Sequence, residues 1–343
     1  MRTILLRVLS LLRRPGITRP WLRGVLVANL VGQVLIVFTG GIVRLTGSGL
    51  GCPTFPECVS GSYLPVVHQP QGFHKYIEFG NRMLTFVLTA LAVAALLAVR
   101  RWVRAGNADR RLLIFGAVPF AGVLAQALIG GISVLTKLNP TVVAIHFLVS
   151  MALISGSTLL LLVALAAPAA GSPGLEPGSR RPPVLWTRPL AVALAVVTVP
   201  VLALGTVVTG AGPHSGDAHD PNRFNFAIHT VARMHSEAVW LFVILLVALL
   251  ATLRRGDGPE PAQRRALILL ALTLAQGVIG YVQYALGVPA ALVAAHMLGA
   301  SLLVVAVTAT VYETLTPQPA VLGDQPDQRG DSADERRSAS STR

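Results

Sequence analysis

The chain has 343 residues, 53% of them hydrophobic and only 13% charged, with a formal net charge of +13. A charged fraction that low excludes an ordinary soluble domain, in which about a quarter of residues carry charge. A nucleic-acid-binding module is also excluded, because the cations are scattered among the ends of apolar runs rather than massed on one polar segment.

Eight runs of about twenty apolar residues are long enough to cross a bilayer. They cover 22–43, 79–99, 112–135, 141–164, 190–209, 229–252, 266–285 and 290–312. With the first end taken as cytoplasmic, twenty-two of the twenty-eight Lys and Arg residues fall on that side and six on the other. This positive-inside bias predicts a multi-pass protein of the cell membrane with both termini in the cytoplasm.

In chain order, residues 1–21 form a cytoplasmic N-terminal segment. Arg7 interrupts its apolar run and no small-residue cleavage site follows, so it reads as a surface helix rather than a signal peptide. Span 1 ends in Gly40-Gly41-Ile42-Val43-Arg44-Leu45-Thr46-Gly47-Ser48-Gly49. The outer loop that follows holds the chain's two cysteines, Cys52 and Cys58, among glycines and prolines that suit a tight fold. On the oxidising side of a membrane such a pair can persist as a disulfide, either a staple or a redox couple.

Span 2 opens with His74-Lys75-Tyr76-Ile77-Glu78-Phe79-Gly80-Asn81-Arg82. Helical periodicity places His74, Glu78 and Asn81 on one face. Glu78 is either an interfacial ion-pair partner of Arg82 or Lys75, or an acid/base group beside a ligand.

Spans 3 and 4 contain a segment that recurs in spans 7 and 8. Leu124 to His146 reads LAQALIGGISVLTKLNPTVVAIH, and Leu274 to His296 reads LAQGVIGYVQYALGVPAALVAAH. Each copy runs Gln (Gln126, Gln276), then Gly (Gly130, Gly280), then a Pro-marked turn, then a His twenty residues after the Gln. An imidazole in an apolar helix is costly to bury alone, and two at matching places point to metal or haem ligation.

Span 5 ends in Gly205-Thr206-Val207-Val208-Thr209-Gly210-Ala211-Gly212, echoing the Gly-x-Val…Thr-Gly-x-Gly end of span 1. The repeat therefore covers spans 1–4 and 5–8. An even number of spans per unit keeps both halves in one orientation, related by an axis along the membrane normal. The predicted fold is an all-α integral membrane protein of eight transmembrane helices in two pseudo-symmetric four-helix bundles. The bundles span 22–164 and 190–312. They are joined by a Pro/Gly-rich cytoplasmic linker over 165–189 and followed by a polar, disordered tail over 313–343.

Span 6 opens with His229-Thr230-Val231-Ala232-Arg233-Met234-His235-Ser236-Glu237. Six residues turn a helix by about 240°, so His229 and His235 cannot share one ligand, and His235 lies deeper. Aligning spans 2 and 6 sets Asn81 opposite His235. His235 and His296 then sit at similar depth on facing helices, an arrangement that holds a haem between two imidazoles. The equivalent pair in the first half is Asn81 and His146. His68 reads as a solvated loop residue. His214 and His219, near Asp217 and Asp220, read as a hydrated loop with a surface metal site as the alternative.

Taken in this order, the span 1 ending, the Cys52/Cys58 loop, Ile77-Glu78-Phe79-Gly80 and the paired Gln…His helices resemble the haem A synthase family of membrane enzymes. The resemblance covers all eight spans. It implies conversion of haem O to haem A for terminal oxidase assembly, by oxidation of the C8 methyl to a formyl group. It also implies haem b bound by His235 and His296, haem O as substrate on His146, a catalytic Glu78, and a Cys52–Cys58 disulfide. The family usually has Glu-x-x-His-Arg in span 2, where this chain has Asn81. That leaves the substrate iron an open position, with His74, about two turns outward, as the alternative second ligand.

The expected partners are a prenyl-transferring haem O synthase (a protohaem farnesyltransferase), an electron donor of unspecified kind and the lipid bilayer; a homo-oligomer is allowed. The competing reading is a quinol-linked membrane cytochrome that carries electrons through His235 and His296 and has no use for Glu78. A thiol–disulfide exchange protein and a transporter account for fewer of these residues.

Overall fold

The computed structural model describes residues 18–166, 185–217, 220–256 and 260–316. Within them are eight helices: α1 (Arg19–Leu45), α2 (His74–Arg104), α3 (Leu112–Leu135), α4 (Pro140–Ala166), α5 (Thr187–Ala211), α6 (Ile228–Arg255), α7 (Glu260–Ala285) and α8 (Ala290–Leu315). All eight are long and apolar enough to cross a membrane. The chain is a multi-pass membrane protein. A helix satisfies its backbone internally, which is why these apolar segments adopt it. The expected N-terminal surface helix, most of the 165–189 linker, the polar tail beyond Thr316 and His219 lie outside the described residues.

Each of α1–α4 packs on its chain neighbour, and α4 returns to α1; α5–α8 close in the same way. The two four-helix rings meet through α1 and α4 on one side and α5 and α8 on the other. The repeat-equivalent helices α4 and α8 face each other, with Ser155 Oγ 2.9 Å from Thr308 Oγ1.

Packing explains where the space is. At the end away from the cysteine loop, α1, α2 and α4 close over Leu22, Leu26, Ala95, Ala98, Val99 and Leu160. Small residues at such seams let helix backbones approach closely, which drives helix association in lipid. The second ring closes at the same end over Leu194, Phe242, Leu246, Leu249, Leu253 and Leu269. Both rings are therefore sealed by packed side chains at one end, and the space within them lies toward the cysteine-loop end.

The α3–α4 and α7–α8 turns repeat at matching positions. Lys137 and Leu138 have φ of 50° and 57°; Gly287 and Val288 have 74° and 63°. Leu138 N–H donates to Ser133 O and Val288 N–H to Gln283 O, each at 2.7 Å, closing the preceding helix. A β-branched Val in the left-handed region is strained, so the surrounding contacts must hold it there. The two halves are stitched across this end by Gly49 N–H donating to Gly216 O at 2.8 Å, while within the second half His214 Nε2–H donates to Val288 O at 2.9 Å.

Candidate functional site

A continuous cavity of about 1720 Å³ opens inside both rings. It exceeds the roughly 300–1,000 Å³ of a usual small-ligand pocket. His146, His235, His296, Asn81 and Glu78 all line it, as do Gln126 and Gln276.

Four of these side chains sit over a glycine of a neighbouring helix. A Cβ at Gly130 would stand 3.4 Å from His146 Cε1, one at Gly280 3.5 Å from His296 Cε1, and one at Gly205 3.3 Å from His235 Cε1. A Cβ at Gly40 would stand 3.9 Å from Asn81 Nδ2. Gly130 and Gly280 are repeat partners; Asn81 and His235 each face a glycine of the preceding span, Gly40 and Gly205, although the Gly-x-Val match pairs Gly205 with Gly41. The glycines leave room for a flat ring and whatever it binds.

His235 Nδ1 lies 3.0 Å from Val201 O. A carbonyl oxygen can only accept, so Nδ1 carries the proton and Nε2 keeps its lone pair. This is the tautomer of a metal-binding imidazole held by a backbone acceptor. His235 and His296 both line the cavity, from α6 and α8. In both halves the same two atoms are buried without a partner among the described residues: Gln126 Oε1 with His146 Nδ1, and Gln276 Oε1 with His296 Nδ1. Gln126 Nε2 donates to His146 O at 2.9 Å and to Ser150 Oγ. Position 300 is Ala, so the second copy lacks that hydroxyl.

Glu78 is buried and bonded on both oxygens. Oε1 accepts from Arg82 Nη2 at 2.6 Å and Nε at 3.1 Å, and Oε2 accepts from Cys52 N–H at 2.6 Å. Arg82 Nη2 also donates to Cys52 O at 2.7 Å, so one helical turn grips both backbone groups of Cys52. Cys52 and Cys58 are joined in a disulfide and fully buried. Their loop folds over the first ring, with Phe55 against Gly131 and Gln69 donating to Gly51 O. The ion pair with Arg82 is present, and Lys75 is engaged elsewhere, donating to Val66 O and Val67 O. A carboxylate has about four lone-pair sites. Three are filled here, and one remains for the cavity that Glu78 lines.

The loop's seat allows a test. A Cβ on Gly51 would collide with the backbone of His74 and Lys75. Gly51→Ala is expected to lift the loop from Glu78 and to destabilise the protein by about 1–3 kcal/mol, as overpacking does. Thermal unfolding in detergent measures this, and an unchanged midpoint would show that the loop is not seated there.

The remaining sequence candidates separate clearly. His74 does not line the cavity; its Nδ1 lies 2.8 Å from Ser48 Oγ. His229 lies at the exposed rim of the cavity, and His68 is exposed. His214 is not a free loop side chain, since it bonds Val288. No group of three His, Cys, Asp or Glu suited to a metal ion occurs among the described residues. Sequence reasoning missed Arg44, Gln33 and Asn29. Asn29 and Gln33 are buried inside α1, and Asn29 Nδ2 donates to Ser157 Oγ at 3.3 Å. Their polarity within an apolar run was the available signal.

The family model of the cytochrome oxidase assembly protein COX15-CtaA matches residues 23–215 and 218–340. The chain belongs to the COX15-CtaA family. Among relatives in this family, a haem A synthase of Lysinibacillus sphaericus is 36% identical over 143 residues, 41% of this chain and 44% of the relative. One of Bacillus pumilus is 37% identical over 134 residues, 38% of this chain and 41% of the relative. One of Geobacillus thermodenitrificans is 29% identical over 137 residues, 40% of each. The chain spans less than half the length of each of these curated relatives in the matched region.

Proposed function

We propose that this chain is a haem A synthase, an oxidoreductase that converts the C8 methyl of haem O to a formyl group for cytochrome oxidase assembly. The observation that carries the reading is the repeated pairing of a cavity-lining imidazole with a glycine, on a chain of the COX15-CtaA family. It is a protein of the cell membrane with both termini cytoplasmic, and a haem O synthase supplies its substrate from the bilayer. The working units are the two bundles, over 22–164 and 190–312.

The second bundle fits haem b. His235 offers Nε2 because Val201 O holds the proton on Nδ1, and His296 faces the same cavity from α8. Haem b supplies one-electron transfer when bound. Gln276 Oε1, buried and unpartnered, is an acceptor available to the N–H of His296.

The first bundle receives the substrate. His146 is its iron ligand, and Asn81, a poor ligand for iron, leaves the other side open. Arg82 and Cys52 N–H fix the Glu78 carboxylate at the cavity wall, where its remaining lone-pair site accepts or returns a proton as the methyl carbon is oxidised. Two successive two-electron hydroxylations of that carbon, with the oxidant and the inserted oxygen supplied from outside the chain, would give a geminal diol that loses water to leave the formyl group. The disulfide loop caps this end of the first ring.

Cells that contain a haem O synthase but no enzyme of this kind provide the test. Expression of this chain should make haem A, or its hydroxylated precursor, appear in extracted haems on chromatography. Haem O left unconverted, with only haem b on the purified protein, would instead favour an electron carrier.

Because Gly40 leaves space over position 81, Asn81→His is expected to give the first bundle a second imidazole ligand. Electron paramagnetic resonance of the oxidised, haem O-loaded protein should then show an additional low-spin haem. A spectrum identical to that of the unaltered protein would mean that position 81 does not reach the iron.

A further inference from the structure

Three arginines line the cavity, and two of them already have a carboxylate. Arg82 pairs with Glu78, and Arg233 with Glu237 at the exposed rim. Arg44, in the last turn of α1, is different. Its Nε donates to His214 O at 2.7 Å and its Nη2 to Thr209 O at 3.2 Å. Among the described residues no carboxylate meets it. Both acceptors are neutral carbonyls of the second half, so a guanidinium from the first half sits at the seam between the rings with its charge uncompensated. Such a cation, drawn into an apolar cavity, is costly without an anion. A guanidinium has five N–H donors in a planar fork, and the Nη1 edge is uncommitted here.

The proposed ligand is itself almost wholly apolar except for one edge, which carries two propionate carboxylates. We infer that Arg44 is the anion anchor of the cavity, receiving a haem propionate on its Nη1 edge. The inference rests on the haem-binding reading above and deepens it by orienting the ligand, acidic edge toward the cysteine-loop end and the seam. A planar fork matches a carboxylate better than a point charge does. Because Thr209 O and His214 O hold the same guanidinium, carboxylate binding also couples ligand occupancy to the packing of the two halves.

Haem b and its dimethyl ester, in which both propionates are uncharged, are the probes, added to the purified full-length protein. The unaltered protein is expected to bind the ester roughly 10- to 100-fold more weakly, the scale of a hydrogen-bonded charge pair. Arg44→Gln should bind haem b with a similar deficit and show little further penalty on esterification, while Arg44→Lys should recover part of the loss. Repeating the comparison with His235 and His296 both changed to Ala leaves the first-bundle site alone. A penalty that persists there assigns the carboxylate to the first-bundle ligand, and one that vanishes assigns it to the second-bundle haem; either supports the anchor. Equal affinity of the unaltered protein for acid and ester would overturn it while leaving haem binding intact, and needs no variant to fold. An esterification penalty undiminished in Arg44→Gln would also overturn it. Uptake of neither probe would overturn the haem reading and this inference with it.

Discussion

Replacing His235 or His296 with alanine is expected to strip haem b from the second bundle. His235 presents Nε2 because its Nδ1–H is held by Val201 O, and the ring lies over Gly205 with no Cβ in its way. His296 stands over Gly280 in the same manner and faces the same cavity. Losing a mere outer partner of a metal ligand typically costs about 10- to 100-fold in affinity, so losing the ligand itself should exceed roughly 100-fold. The haem content of the purified protein, read by absorbance after extraction, measures this. The fold should survive either change, because Phe242, Leu246, Leu249 and Leu253 close that bundle at its other end. A variant that keeps haem b with an unchanged bis-imidazole spectrum would remove both residues from the assignment.

Glu78→Gln is expected to lower turnover by at least about 100-fold, within the range that a positioned acid or base contributes. Haem O or a hydroxylated product should accumulate. The side chain also anchors the loop, so the two roles need separating. A glutamine must turn its NH2 toward either Arg82 or the N–H of residue 52, setting donor against donor. Leaving such buried groups unpaired costs about 1–3 kcal/mol. Changing Cys52 and Cys58 to Ser removes the bridge while keeping the backbone groups that Glu78 and Arg82 grip. That variant should lose much less activity than Glu78→Gln. Equal losses would mean that Glu78 serves the loop and not the substrate.

Much of this organisation is legible in the sequence because it follows from local rules. The eight spans follow from length and hydropathy, and the doubled Gln-Gly-Pro-His pattern gives the repeat. Aligning apolar runs sets Asn81 opposite His235, and in the structure each faces a glycine of the preceding span, Gly40 and Gly205. What escaped are contacts between segments far apart in the chain. Nothing in Gly40-Gly41-Ile42-Val43-Arg44 says that Arg44 would rest on carbonyls more than 160 residues away. Both readings of Glu78 stayed open because spacing reveals Arg82 but not Cys52 N–H, which a loop fold brings to it. His74 shares the face of Glu78 yet turns to Ser48, since the span 1 cap folds back over that helix end.

The central claim is a division of labour between equivalent bundles, with substrate on His146 and haem b on His235 and His296. Haems extracted from purified His146→Ala, made in cells that supply haem O, test it most directly. The account predicts that haem b is retained and haem A absent. Haem A formed at the level of the unaltered protein, with His146 gone, would contradict it.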